Sequence, residues 1–228
     1  MVYIYKKPFT MKTTYLLVVL FFLFLTSCDW FDSANKDDKS STLGGSASIP
    51  INTVGTTFAN SVRVGLSSYN GTIAITSITD GVATVRCQGK IPSGYPILQT
   101  INSKYKDGSG NFVFDGKFKM TDEGILDYNN TGKEPFVLVK YDAKVGDKYT
   151  LEKSDGTTIV REVVRKSTAD DFLWNGMMIK TVDVETVVNV PGVKKVICFT
   201  NHKFGLVAVR VEMEDGSKPQ LDLVPSKY

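Results

Sequence analysis

The chain has 228 residues, with 27 Lys and Arg against 24 Asp and Glu, one histidine and three cysteines. No C-x-x-C or multi-histidine spacing occurs, so a zinc site has too few ligands, and no other cofactor is called for. Lys6, Lys7 and Lys12 lie ahead of the first apolar run; without them 24 basic residues balance the 24 acidic ones, which argues against a nucleic-acid partner.

The apolar run covers residues 15–25 and follows those three lysines. It is too short for a hydrocarbon core, which takes about 20 helical residues. A charged start, a short apolar stretch and then small residues is the pattern of an export signal. Met11-Lys12 would make an ordinary signal start, leaving residues 1–10 as an upstream extension. Leu25-Thr26-Ser27-Cys28 resembles the lipobox of bacterial lipoproteins. The resemblance implies cleavage before Cys28, acylation of its sulfur and new N-terminus with palmitate-type chains, and a membrane partner held through that anchor. Two or more acyl chains anchor stably, whereas one does so only marginally.

Residues 28–47 read as a tether, polar, rich in Ser and Gly and without helical or strand periodicity. Within it Lys36-Asp37-Asp38 resembles the acidic signal that sends lipoproteins of the Bacteroidota to the cell surface, and Asp32-Ser33-Ala34 resembles the O-glycosylation triplet of that phylum. The expected organisation is a signal peptide over 1–27, the tether, and one β-rich domain over 48–228. The expected location is the outer membrane, lipid-anchored and either periplasmic or surface-exposed.

Turn chemistry dominates the body. Asp-Gly occurs at positions 80, 107, 115, 155 and 215, and Asn-Gly at 70 and 175. Type I′ hairpins need positive φ at both central residues, which these dipeptides tolerate best. The segment 111–120 reads as a hairpin about Asp115-Gly116. Residues 136–139, apolar on both faces, read as a central strand. Residues 148–153 and 157–165 read as a hairpin, and Val182 and Val184 flank Asp183 in alternation. Val207, Val209, Val211 and Met213 alternate with Ala208, Arg210 and Glu212, and Leu221 and Leu223 return beyond Asp215-Gly216. Only residues 95–104, entered through Pro96, could hold a helix. The expectation is an all-β fold of roughly nine to twelve strands, as a sandwich, barrel or curved antiparallel sheet with at most one or two short helices.

Chemistry-bearing residues are sparse. His202 is the only base available to a nucleophilic triad or dyad, and it sits in a polar turn. Cys87 and Cys198 both fall on inward strand positions, which suits a disulfide or two small core residues. The run from Asp107 to Asn111 opens like a calcium loop, but Phe112 and Phe118 stand where Gly and Glu are needed. Asp122, Glu123, Asp127, Asp170, Asp171 and Glu185 are the candidate carboxylates of a hydrolase. Trp174, Phe172 and Tyr128, with Tyr105 and Tyr95, lie in or near loops; such rings stack on sugars, anchor an interface, or fold back over the core.

Residues 141–149, a long hairpin and then Phe204-Gly-Leu-Val207 resemble a layout in exported bacterial β-domains, some of them cupped lipoprotein carriers and lipid-binding half-barrels. The leading expectation is a non-catalytic envelope or cell-surface lipoprotein that acts as a binding module for a glycan, a lipid or another envelope protein. The second is a lipid or lipoprotein carrier with an apolar cavity in a curved sheet. The third is a carboxylate-based hydrolase. Cys28→Ala is expected to abolish membrane association, seen as loss of the chain from the salt-washed membrane pellet; persistence there contradicts the lipoprotein reading.

Overall fold

The computed structural model describes residues 42–63, 71–89, 103–129, 134–152, 156–189 and 192–226. The leader, Cys28 and most of the tether lie outside the described residues, as do Tyr95, Asn70 and Asp155. Fourteen strands appear among the described residues: β1 (Thr57–Arg63), β2 (Gly71–Thr79), β3 (Val82–Gly89), β4 (Phe112–Thr121), β5 (Gly124–Asp127), β6 (Phe136–Lys140), β7 (Lys148–Glu152), β8 (Thr158–Lys166), β9 (Phe172–Trp174), β10 (Met177–Ile179), β11 (Val182–Thr186), β12 (Val193–Asn201), β13 (Gly205–Met213) and β14 (Gln220–Pro225). A 3-10 turn at Ser103–Tyr105 is the only helical element among them.

The fold is all-β. Twelve strands form one antiparallel sheet in the order β6-β5-β4-β3-β2-β1-β14-β13-β12-β11-β8-β7, curled into a nearly closed barrel, and β9 and β10 make a separate ribbon. Strand period explains the elements. On β2, Ile73 and Ile75 are buried while Thr72 and Thr76 face out. Two dipeptide turns form as read. Asp80 and Gly81 have φ of 51° and 77°, and Asn175 and Gly176 have 48° and 77°, the paired left-handed residues of a type I′ hairpin.

Three expectations are corrected. Residues 111–120 are not a hairpin: β4 runs unbroken through Asp115-Gly116. Asp115 pairs across the sheet with Arg86 through two 2.7 Å hydrogen bonds, and a Cβ on Gly116 would lie 2.9 Å from the rings of Phe114 and Phe118. Glycine is needed there for space, not for a turn. Residues 136–139 are not a central strand either, because β6 ends the sheet order. They are buried on both faces because the sheet curls until β6 lies against β7 and β11. Finally, Val207 does not share a face with Val209. A bulge opposite Phe199 and Thr200 skips Val207 in the β12–β13 register and turns it onto an outer cluster with Trp174.

Closure depends on Arg161 of β8, which is buried. Its Nη2 lies 2.5 Å from Asp127 Oδ2 on β5, and its Nη1 donates to the carbonyls of Val137 at 3.1 Å and Phe136 at 3.4 Å. Its guanidinium also rests 4.2 Å from the Phe136 ring centroid. The other oxygen of Asp127 accepts the Asn129 carboxamide at 2.6 Å and its backbone N–H at 2.8 Å. A few residues further on, the Lys140 N–H donates to Tyr149 Oη on β7 at 3.1 Å. Side chains thus replace a backbone ladder along the seam, and the carbonyls of β6 are satisfied without a neighbouring strand.

The stretch ahead of β1 closes one end. The Ser46 N–H donates to Asp122 Oδ1 at 2.7 Å, the Asp122 N–H returns a bond to Ser46 O at 3.1 Å, and Ile49 and Ile51 are buried. Both isoleucines pack over Gly205, beside Met120.

Removing one partner of a buried pair strands the other charge, at a cost of about 3–5 kcal/mol. Asp127→Ala is therefore expected to lose that much stability in urea denaturation. Pairing Asp127→Leu with Arg161→Met should recover only part of it, because the Phe136 and Val137 carbonyls remain unpaired at about 1–3 kcal/mol. Full recovery in the double variant would mean that Arg161 does not cap β6.

Candidate functional site

Inside the curled sheet lies a cavity of about 100 Å³. Its wall follows from strand alternation. Phe112, Phe114, Phe118 and Met120 all take even positions on β4, with Gly116 between them, so one face of β4 carries the aromatic side of the wall. Val85 and Cys87 add to it from β3, Phe58 and Ile73 from β1 and β2, Ile125 and Leu138 from β5 and β6, and Leu206, Val209, Leu221 and Leu223 from β13 and β14. Ile51 of the end plug completes it. Among the described residues no charged or amide side chain lines this space, and the Cys87 and Met120 sulfurs are the only side-chain heteroatoms there.

An apolar void of this kind stays dry and admits apolar guests, as an engineered cavity of roughly 150 Å³ admits benzene. Val85, Cys87, Phe114, Leu206 and Leu223 remain half-buried, whereas Ile73, Phe112, Ile125, Leu138, Val209 and Leu221 are buried.

The residues singled out in the sequence fall elsewhere. Trp174 is 1% exposed, tilted against Phe204 at 4.7 Å between centroids, and its indole N–H donates to Leu223 O at 3.2 Å. Phe172 stacks on Phe199 at 4.9 Å. Tyr128 packs on the main core, and burial raises its phenol above the ordinary range. These rings fold back onto the protein, so they form no open stacking platform. Tyr105 sits edge-on to Phe114 beneath Lys104.

His202 is exposed in the β12–β13 turn, with its ring edge-on to Tyr141 at 6.4 Å. Of the candidate carboxylates, Asp127 is held by Arg161, Asp171 by Arg165 and Ser167, Glu185 by Lys195, and Asp122 by the Ser46 N–H. Glu123 and Asp170 are exposed. Asp107 accepts the N–H groups of Ser109 and Asn111, a local turn, and holds no calcium loop. No group of three or more His, Cys, Asp or Glu that could hold a metal occurs among the described residues.

Cys87 and Cys198 are free thiols, so the disulfide alternative gives way to two small wall and core residues. Cys87 turns its sulfur to the cavity while Cys198 sits in the core of β12. Desolvation among apolar neighbours, reinforced at Cys87 by the charge of Asp115, pushes each thiol up to about 12.

Compared with known proteins, the chain matches no family model, no curated protein and no solved structure.

Sequence reasoning did not find the cavity wall. The signal is present in the even-numbered row from Phe112 to Met120, but the turn-like composition of Asp115-Gly116 splits it.

The thiols supply a check with a defined sign. Their folded-state values lie above those of the unfolded chain, so they add stability at neutral pH that fades as the unfolded chain begins to ionise in the ordinary thiol range. The urea midpoint should fall as pH rises through about 8.5 to 11, less steeply in a Cys87→Ala/Cys198→Ala variant. Iodoacetamide at neutral pH should label neither thiol in the folded chain and both in urea.

Proposed function

We propose that the chain is a non-catalytic, lipid-anchored envelope protein that takes the apolar part of a lipid or acylated ligand into the curled sheet. The observation that carries this reading is the cavity wall, in which four phenylalanines and the aliphatic residues beside them, drawn from eight strands, present no charged or amide group that could hold a substrate for chemistry. An acyl chain asks for such a surface, at about 0.8 kcal/mol for each methylene buried. At about 100 Å³ the space accepts the end of a chain, which leaves any headgroup outside. Of the three readings drawn from the sequence, the carrier is the one this wall supports. The glycan form of the binding-module reading asks for open rings such as Trp174, which is buried, and the hydrolase reading needs two unengaged carboxylates in one cleft. The lipobox-like Leu25-Thr26-Ser27-Cys28 supports the anchor and an outer-membrane location, on the periplasmic or surface face.

The test is titration with parinaric acid, a fluorescent fatty acid, against the chain carrying Cys28→Ala. Saturable binding is expected, weakened at least tenfold by Cys87→Leu or Ile73→Phe, each of which fills the cavity; on the same transfer scale tenfold equals the loss of about two methylenes. Absence of binding, or equal binding by both filled variants, rejects the carrier reading.

A further inference from the structure

The β9–β10 ribbon lies outside the main sheet and presents two unlike faces. Its register pairs Phe172 with Ile179, Leu173 with Met178 and Trp174 with Met177. Phe172, Trp174 and Ile179 pack on Phe199, Phe204, Val207 and Ala208. Leu173 and Met178, directly opposite each other, point away and are 52% and 51% exposed, and Met177 beside the tip is 40% exposed. A two-stranded ribbon is marginal by itself. This one is pinned by the Trp174 indole bond to Leu223 O and by its two ring contacts, so the outward apolar residues are held in place.

Two exposed lysines stand beside the base of the ribbon. The Asn201 carboxamide donates to Lys180 O at 2.7 Å and accepts the Lys203 N–H at 2.8 Å, which brackets both exposed lysines beside the ribbon. Neither lysine has an acidic partner among the described residues. The exposed His202 sits in the same turn as Lys203, Asp171 is engaged by Arg165 and Ser167, and Asp170 is also exposed at the ribbon's start.

We propose that this ribbon docks the domain on a bilayer surface bearing anionic headgroups, with Leu173 and Met178 entering the interface and Lys180 and Lys203 meeting the phosphates. Fixed apolar side chains rimmed by lysines are the chemistry of interfacial membrane binding. Charge decides against a second copy as the occupant, since a two-fold contact through the ribbon sets each pair of lysines beside its own copy. A glycan would ask for an open ring, and both ribbon aromatics face inward. Docking does not require the cavity to hold a ligand, and the two are read by separate experiments.

The test is co-sedimentation of the full chain carrying Cys28→Ala with vesicles of phosphatidylcholine, alone and with added phosphatidylglycerol. Binding to the anionic vesicles is expected, reversed by high salt, which screens charges beyond a few Å at about 1 M. Leu173→Ser with Met178→Ser should weaken it at least about tenfold with an unchanged thermal midpoint, since both residues face outward. Lys180→Gln and Lys203→Gln should each weaken it about fivefold on anionic vesicles and leave neutral vesicles unaffected. Failure of the parent chain to sediment overturns docking, as does undiminished binding by both the ribbon and the lysine variants. Self-association that the ribbon variant abolishes, with vesicle binding unchanged, assigns the face to a second copy instead.

Discussion

A sheet of twelve strands must either end in two open edges or meet itself, and here it meets itself through one buried arginine. Arg161 reaches from β8 to the far end of the strand order, neutralises Asp127 and caps two carbonyls of β6. Its Nε finds no partner among the described residues, so the contact is costly as well as stabilising. A buried ion pair is weak evidence for stability, yet this one fixes which strand faces which. Without it the outer edge of β6, apolar on both faces, would be a template for foreign strands.

Closure gives the interior its character. With β6 brought round, the inward positions of β1 to β6 and β13 to β14 face one another across a space that none of them fills. Gly116 contributes by omission, since the rings of Phe114 and Phe118 occupy the place of its absent side chain. The segment with Ile49 and Ile51 closes one end, and Ile51 also lines the cavity, so the stretch ahead of β1 enters the domain beside the space that would hold an apolar guest.

Much of the fold was legible in the sequence, because period-two alternation and Asp-Gly or Asn-Gly turns are local signals. The hairpins of β2–β3, β7–β8 and β13–β14 were each announced by their own residues, whereas at β9–β10 only the Asn175-Gly176 turn was, since Phe172 and Trp174 lack strand alternation in sequence. What failed was non-local. Asp115-Gly116 has the composition of a turn, and only the rings on either side and Arg86 on the neighbouring strand hold it extended. Residues 136–139 are apolar enough for a sheet centre, yet they stand at its end, because closure buries an end strand as fully as a middle one. Val207 changed faces through a bulge that no composition announces. The candidate site was less legible still. Trp174 drew attention as a loop aromatic, and its indole finds a carbonyl on β14, 49 residues away.

Native mass spectrometry of the chain carrying Cys28→Ala, recovered from a bacterial periplasm and followed by lipid extraction, tests the apolar cavity most directly. An acyl-bearing adduct is expected on the parent chain and absent from one carrying Cys87→Leu. Bare chain mass from both, with no lipid in either extract, would contradict a ligand-holding interior and leave the cavity as a packing void.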